Sequence, residues 1–235
     1  MNDQMNAPMS SMPSGSGPVP FYQVWINALT KPNEQTYADI ANSPNAKAST
    51  AYMWVFGGSL ISAFLSLLVQ GALLRSQLSG VGGGKLSSGF LGIAITLICG
   101  TPIVAIIGTL FFAIFTALIQ WIAKLFGGKG TNDQLAYVFA AITVPYSILS
   151  GIFILLSAIP FVGICFRLIL GLAGLYILVL EIMAVKATNQ LDWGRAAGSV
   201  LIPGASLFLI CCCAVFGISM VAGASATRLF QQFKP

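Results

Sequence analysis

Arg167 and Glu181 are ionisable residues set inside long stretches of otherwise apolar sequence. A charge surrounded by hydrocarbon is costly, so such residues are functional candidates by default. Arg167 lies between Gly163 and Gly171 on one helix face, where it can enter a helical interface. It is also within the first turn or so of its stretch, close enough to reach water along its own stem. Glu181 sits about five residues, roughly 7 Å of helical rise, inside the end at Lys186. A short carboxylate at that depth needs a cationic partner or a proton. Arg167 is fourteen residues and about 21 Å away along the same helix, too far to serve. Lys186, Lys124 and Lys129 remain as partners. A structural ion pair is the leading expectation for Glu181, and a proton or ion pathway the sharper alternative.

Other chemistry is sparse. The chain has no histidine, which removes the commonest general base and metal ligand. No carboxylate pair, Ser-His-Asp set or Cys-His pair is present, so neither enzymatic activity nor a metal or other cofactor is expected. Gly127-Gly128-Lys129-Gly130-Thr131 has the look of a phosphate loop. A Walker motif, however, places Ser or Thr directly after the lysine and a strand before the loop. Here Gly130 follows Lys129 and an apolar helix precedes it. The stretch around Lys85 fails in the same way, because Leu86 follows. The expectation is a flexible interfacial turn whose lysine faces lipid phosphates. Cys99, Cys165, Cys211, Cys212 and Cys213 all fall in apolar runs and read as small hydrophobes packed between helices. Three adjacent cysteines on a helix point about 100° apart and cannot share one metal.

The elements that position these residues are membrane helices. Of 235 residues, 57% are hydrophobic and 7% charged, against roughly 25% charged in a soluble domain. The runs 48–74, 86–123, 134–166 and 196–227 carry no charged residue, and each exceeds the ~20 residues needed to cross a bilayer. The net charge of +5 comes from cations at run ends, not from one basic face with aromatic neighbours, so no nucleic-acid partner is expected. Residues 1–20 have no apolar core for a cleavable signal and read as a disordered tail rich in Pro, Ser and Gly. The first span then acts as its own targeting signal.

Two short interfacial helices are expected within 21–45: an aromatic, uncharged one over Phe21–Thr30 and a second opened by Pro32 and running to about Ala41. Five spans follow, over about 51–74, 89–123, 135–156, 164–185 and 197–222. The second is one long helix kinked at Gly100-Thr101-Pro102, with two shorter spans as the alternative. Pro145 falls inside the third span, and Pro203-Gly204 bends the fifth. Small and polar stripes at Gly58, Ser62, Ser66 and Gln70, and at Gly92, Thr96 and Gly100, allow close helix approach. With five spans, all four tryptophans (Trp25, Trp54, Trp121, Trp193) share one side of the membrane. Lys and Arg divide six to five between the sides, which leaves orientation unset by charge.

The order of short motifs along residues 21–220 resembles the Yip family, the Ypt/Rab-interacting membrane proteins, and especially its prokaryotic branch. Those motifs are Val24-Trp25, Leu29-Thr30-Lys31-Pro32, Phe126-Gly127-Gly128-Lys129-Gly130-Thr131, Pro145-Tyr146, Ile159-Pro160 and Trp193-Gly194-Arg195-Ala196. The resemblance implies an all-α bundle of five transmembrane helices over about 46–235, a cytoplasmic N-terminus and no catalysis. Eukaryotic members bind small GTPases and one another on transport vesicles. This chain lacks their longer acidic-aromatic segment before the first span, which argues against a small-GTPase partner. The expected role is a membrane scaffold, organiser or accessory subunit that binds other membrane proteins or itself through small-residue helix faces and shapes the bilayer. The expected location is a prokaryotic cell membrane, with the Golgi or endoplasmic reticulum as the alternative. A transporter or channel using Glu181 and the Pro/Gly-broken helices is the rival class.

Overall fold

The computed structural model describes residues 20–78, 96–157 and 162–232. Among these, regular structure is helical throughout. α1 (Phe21–Thr30) and α2 (Glu34–Ala41) are short; α3 (Ala48–Leu78), α4 (Thr101–Leu125), α5 (Asn132–Leu156), α6 (Val162–Asn189) and α7 (Trp193–Gln232) are long. Five stretches are long and apolar enough to cross a membrane: Ala48–Gln70, Leu97–Leu125, Asn132–Leu156, Gly163–Asn189 and Trp193–Ile210. The architecture is an all-α polytopic membrane bundle.

Local chemistry sets the helix ends. Pro32 does not open α2. Asn33 caps it instead, its side chain accepting from the Thr36 amide at 2.7 Å, because an Asn oxygen can satisfy a free first-turn N–H. α5 begins with a capping box: the Gln134 amide donates to Thr131 Oγ1, and the Thr131 amide donates to Gln134 Oε1. α4 follows a π turn over Thr96–Gly100, and Pro102 sits in its first turn, where the missing amide hydrogen costs nothing. The expected kink is therefore a π-to-α junction. The part of the expected helix before Thr96, with Gly92, lies outside the described residues. Pro145 and Pro203 lie inside continuous helices.

The connection between the expected fourth and fifth spans, over 186–196, is shorter than those bounds imply. α6 continues to Asn189 and α7 begins at Trp193. Gln190 takes a left-handed φ of 55°, and the Leu191 amide closes back onto the Lys186 carbonyl at 3.2 Å. Gly127 does the same for α4, with φ of 91° and the Gly128 amide on the Ala123 carbonyl at 2.9 Å. Both are helix-terminating turns that need a positive φ, which glycine adopts without strain.

α5 runs through the middle. Every residue from Leu135 to Ile142 is buried, which leaves no polar face on its first half. α3 lies parallel beside it, with Trp54 against Tyr137 at 4.9 Å between ring centres. A Cβ on Gly58 would come within 2.8 Å of Val144 Cγ1, and one on Gly151 within 3.4 Å of Ser62 Cα. Only small residues permit that approach. α1 and α2 cap the end of the bundle where α4 and α6 finish. Tyr37 Oη donates to the Ala28 carbonyl and Tyr176 Oη of α6 donates to the Leu29 carbonyl, both at 2.8 Å. A T-shaped chain from Phe21 through Trp25 to Trp54 extends the contact. The flanks carry exposed apolar residues, among them Ile103, Ile107 and Ile114 on α4 and Leu168, Leu172 and Leu175 on α6. In water such faces would aggregate; in hydrocarbon they cost nothing.

Candidate functional site

The capped end carries the densest polar chemistry, and it forms where α4, α6 and the loop 126–131 meet. Gln120 and Asn189 are both buried. Gln120 Nε2 donates to Asn189 Oδ1 at 2.9 Å and to the Gly130 carbonyl at 2.7 Å. Asn189 Nδ2 donates back to Gln120 Oε1 at 3.2 Å, and Asn189 Oδ1 also accepts from the Gly130 amide at 3.2 Å. The Lys129 amide donates to the Asn189 carbonyl at 3.2 Å. A Cβ on Gly128 would lie 2.8 Å from Asn189 Oδ1, and one on Gly130 2.7 Å from the Thr188 carbonyl. The glycines are there so that backbone can close around Asn189.

This corrects the expectation of a flexible turn: Gly127, Gly128, Lys129 and Gly130 form a pinned clasp. Its amides bond to Ala123, Lys124 and Asn189, not to open space where a phosphate could sit. Neither Gln120 nor Asn189 was singled out from the sequence. The available signal was a pair of amide side chains inside or at the edge of apolar runs, where an unpaired one is costly.

Lys186, expected as a partner for Glu181, instead forms an ion pair with Glu34 of α2, and its ammonium lies 4.8 Å over the Trp193 ring. Glu181 shares a helix face with the buried residues Ile177, Ala184 and Thr188. It is itself partly buried, and among the described residues no hydrogen bond or ion pair reaches it. Arg167 is exposed on α6.

The remaining candidate positions separate by environment. Ser62, Ser66 and Gln70 line an open groove of about 330 Å³ with Ser59, Gly108 and Ser147, between α3, α4 and α5. Gly163, in the first turn of α6, is buried, and a Cβ there would meet the Ser157 carbonyl at the end of α5. Gly171 faces outward with nothing within 4 Å of where its Cβ would be; it packs against no described residue. Thr96 and Gly100 bound the π turn. Cys99, Cys165, Cys212 and Cys213 are free and exposed on the flanks, which corrects the expectation that they pack between helices. The side chain of Cys211 lies outside the described residues. Among the described residues no group of His, Cys, Asp and Glu could hold a metal ion.

A family model described as the Yip1 domain matches residues 26–220. The comparisons with curated proteins and with solved structures returned no match.

Proposed function

This chain belongs to the Yip1 domain family, and from that premise we propose that it works without catalysis, as a membrane scaffold or accessory subunit. It binds other membrane proteins, or a second copy of itself, through helix faces built from small and hydroxyl-bearing residues, and bilayer shaping follows from that assembly. The observation that carries this reading is the groove of Ser59, Ser62, Ser66, Gln70, Gly108 and Ser147. It opens on the flank of a span, where small residues admit another backbone and polar ones supply interhelical hydrogen bonds worth about 1 kcal/mol each. The outward Gly171 offers a second place for close approach.

The test is co-purification of the full chain in mild detergent, with mass spectrometry of whatever accompanies it. Ser66→Leu with Gln70→Leu fills the groove with bulk at exposed or half-exposed positions. Loss of a membrane partner or of self-association, with the melting temperature unchanged, supports the reading. Identical assembly in both proteins refutes it.

A second reading, a transporter or channel, draws on Glu181, a carboxylate without a cation among the described residues on an inward helix face. Glu181→Gln then abolishes flux through reconstituted vesicles; in the scaffold reading it only alters packing. The cellular setting we propose is a prokaryotic cell membrane with the capped, N-terminal end in the cytoplasm, with Golgi or endoplasmic reticulum as the other setting.

A further inference from the structure

Lys124, Lys129 and Arg195 each border the clasp at the capped end, and all three are exposed. Lys124 lies in the last turn of α4 and its carbonyl accepts from the Gly127 amide at 3.0 Å. Lys129 projects from the pinned loop, its amide held by Asn189. Arg195, in the first turn of α7, places Nη1 3.5 Å from the Phe126 carbonyl, and a Cβ on Gly198 one turn later would touch the Phe126 ring at 3.5 Å. Three cations from two distant segments thus border one rigid turn. Asp133 and Asp192 lie nearby in sequence, yet among the described residues neither forms an ion pair with any of the three.

The surroundings say what kind of anion such a patch meets. Trp121 is 60% exposed, Leu125 67% and Trp193 49%, and each stands within a turn of one of the cations. Exposed tryptophan beside exposed leucine at the end of a span marks the headgroup layer, where ring and stem sit in the lipid boundary and cations face phosphates. A soluble anion would gain nothing from those apolar neighbours. We propose that Lys124, Lys129 and Arg195 form a binding site for the phosphate headgroup of an anionic phospholipid. The inference is independent of the scaffold reading.

The test uses the full chain in nanodiscs of phosphatidylcholine containing a minority of phosphatidylglycerol, with protein-retained lipid counted by native mass spectrometry. The wild-type protein retains phosphatidylglycerol above its bulk share. Each cation removed from the site lowers that enrichment roughly fivefold at low salt, and added salt erodes it by screening. Lys124→Gln with Lys129→Gln and Arg195→Gln abolishes it, whereas Arg195→Lys keeps it. Lys31→Gln with Lys47→Gln removes exposed cations from the same end of the bundle and leaves the enrichment in place. Should the triple variant fail to fold, Lys129→Gln alone, whose side chain bonds to no described residue, still reads out the loss. The proposal is overturned if the triple variant retains wild-type enrichment, or if the Lys31/Lys47 control loses as much. It is also overturned if excess inorganic phosphate strips the lipid as fully as the substitutions do.

Discussion

Gln120 and Asn189 face each other as a reciprocal amide pair, donating to one another at 2.9 and 3.2 Å across 69 residues of sequence. The pair is buried, and it also binds both backbone groups of Gly130. One contact therefore ties the ends of α4 and α6 to the loop that leads into α5.

Removing one amide strands the other. Asn189→Leu leaves Gln120 Oε1 and the Gly130 amide without a partner, each costing about 1–3 kcal/mol when buried. We expect a fall in thermal midpoint of several degrees in detergent. Replacing both residues, Gln120→Leu with Asn189→Leu, should cost less than the sum of the single changes, since neither amide is then left facing a lost partner. Additive losses in that cycle would show that the amides do not act as a pair.

Glycines in the clasp should differ sharply from those elsewhere. Gly130→Ala drives a methyl toward the Thr188 carbonyl at 2.7 Å, backbone that cannot step aside, and should lower stability by about 1–3 kcal/mol. Gly204 lies inside α7 with open space around it, so Gly204→Ala should be neutral or raise stability by up to about 1 kcal/mol. Equal effects in the two melts would remove the steric argument.

Much of this architecture could be read from residue order, for reasons that differ by element. The spans announced themselves because charge is absent for longer than a bilayer is thick, and α1 because its aromatics are uncharged and bounded by prolines. The clasp could not be read this way. Gln120 and Asn189 are ordinary polar residues until the helices bring them together, and no local period links positions so far apart. The extent of α6 was also hidden: Lys186, Thr188 and Asn189 look like loop residues by polarity, but a helix leaving the membrane keeps its hydrogen bonds while its side chains turn polar. Of the three lysines open as partners for Glu181, Lys186 is taken by Glu34, which is far away in sequence.

The cap formed by α1 should respond to alkaline pH through Tyr37. Burial pushes its phenol well above the ordinary value of 10.0, with nearby Tyr176 adding to the shift. A group whose proton is held more tightly in the folded state contributes fully below the unfolded pKa. That contribution then declines as pH rises from about 10 toward the folded value. After correction for the base-catalysed intrinsic rate, protection of the α1 amides should be constant up to about pH 9 and fall above about 10. In Tyr37→Phe that extra step should vanish, and protection of α1 should fall by about 0.5–1.5 kcal/mol for the lost bond to the Ala28 carbonyl.

The ion pair of Lys186 with Glu34 should matter little on its own. Its side chains are 18% and 52% exposed, so water screens the attraction, and Glu34→Gln should cost no more than about 1 kcal/mol. Lys186→Met loses the cation–π contact with Trp193 as well and should cost more than Glu34→Gln in the same thermal melts. The reverse ranking would contradict the arrangement.

A bundle that crosses the bilayer five times keeps its capped end on a single side. With the native cysteines replaced, Lys129→Cys, Gln190→Cys and Ser157→Cys can be labelled one at a time in sealed vesicles with a membrane-impermeant maleimide. Lys129→Cys and Gln190→Cys should react from the same side, and Ser157→Cys, at the far end of α5, only from the opposite side. If all three react from one side, the crossing pattern described here is wrong.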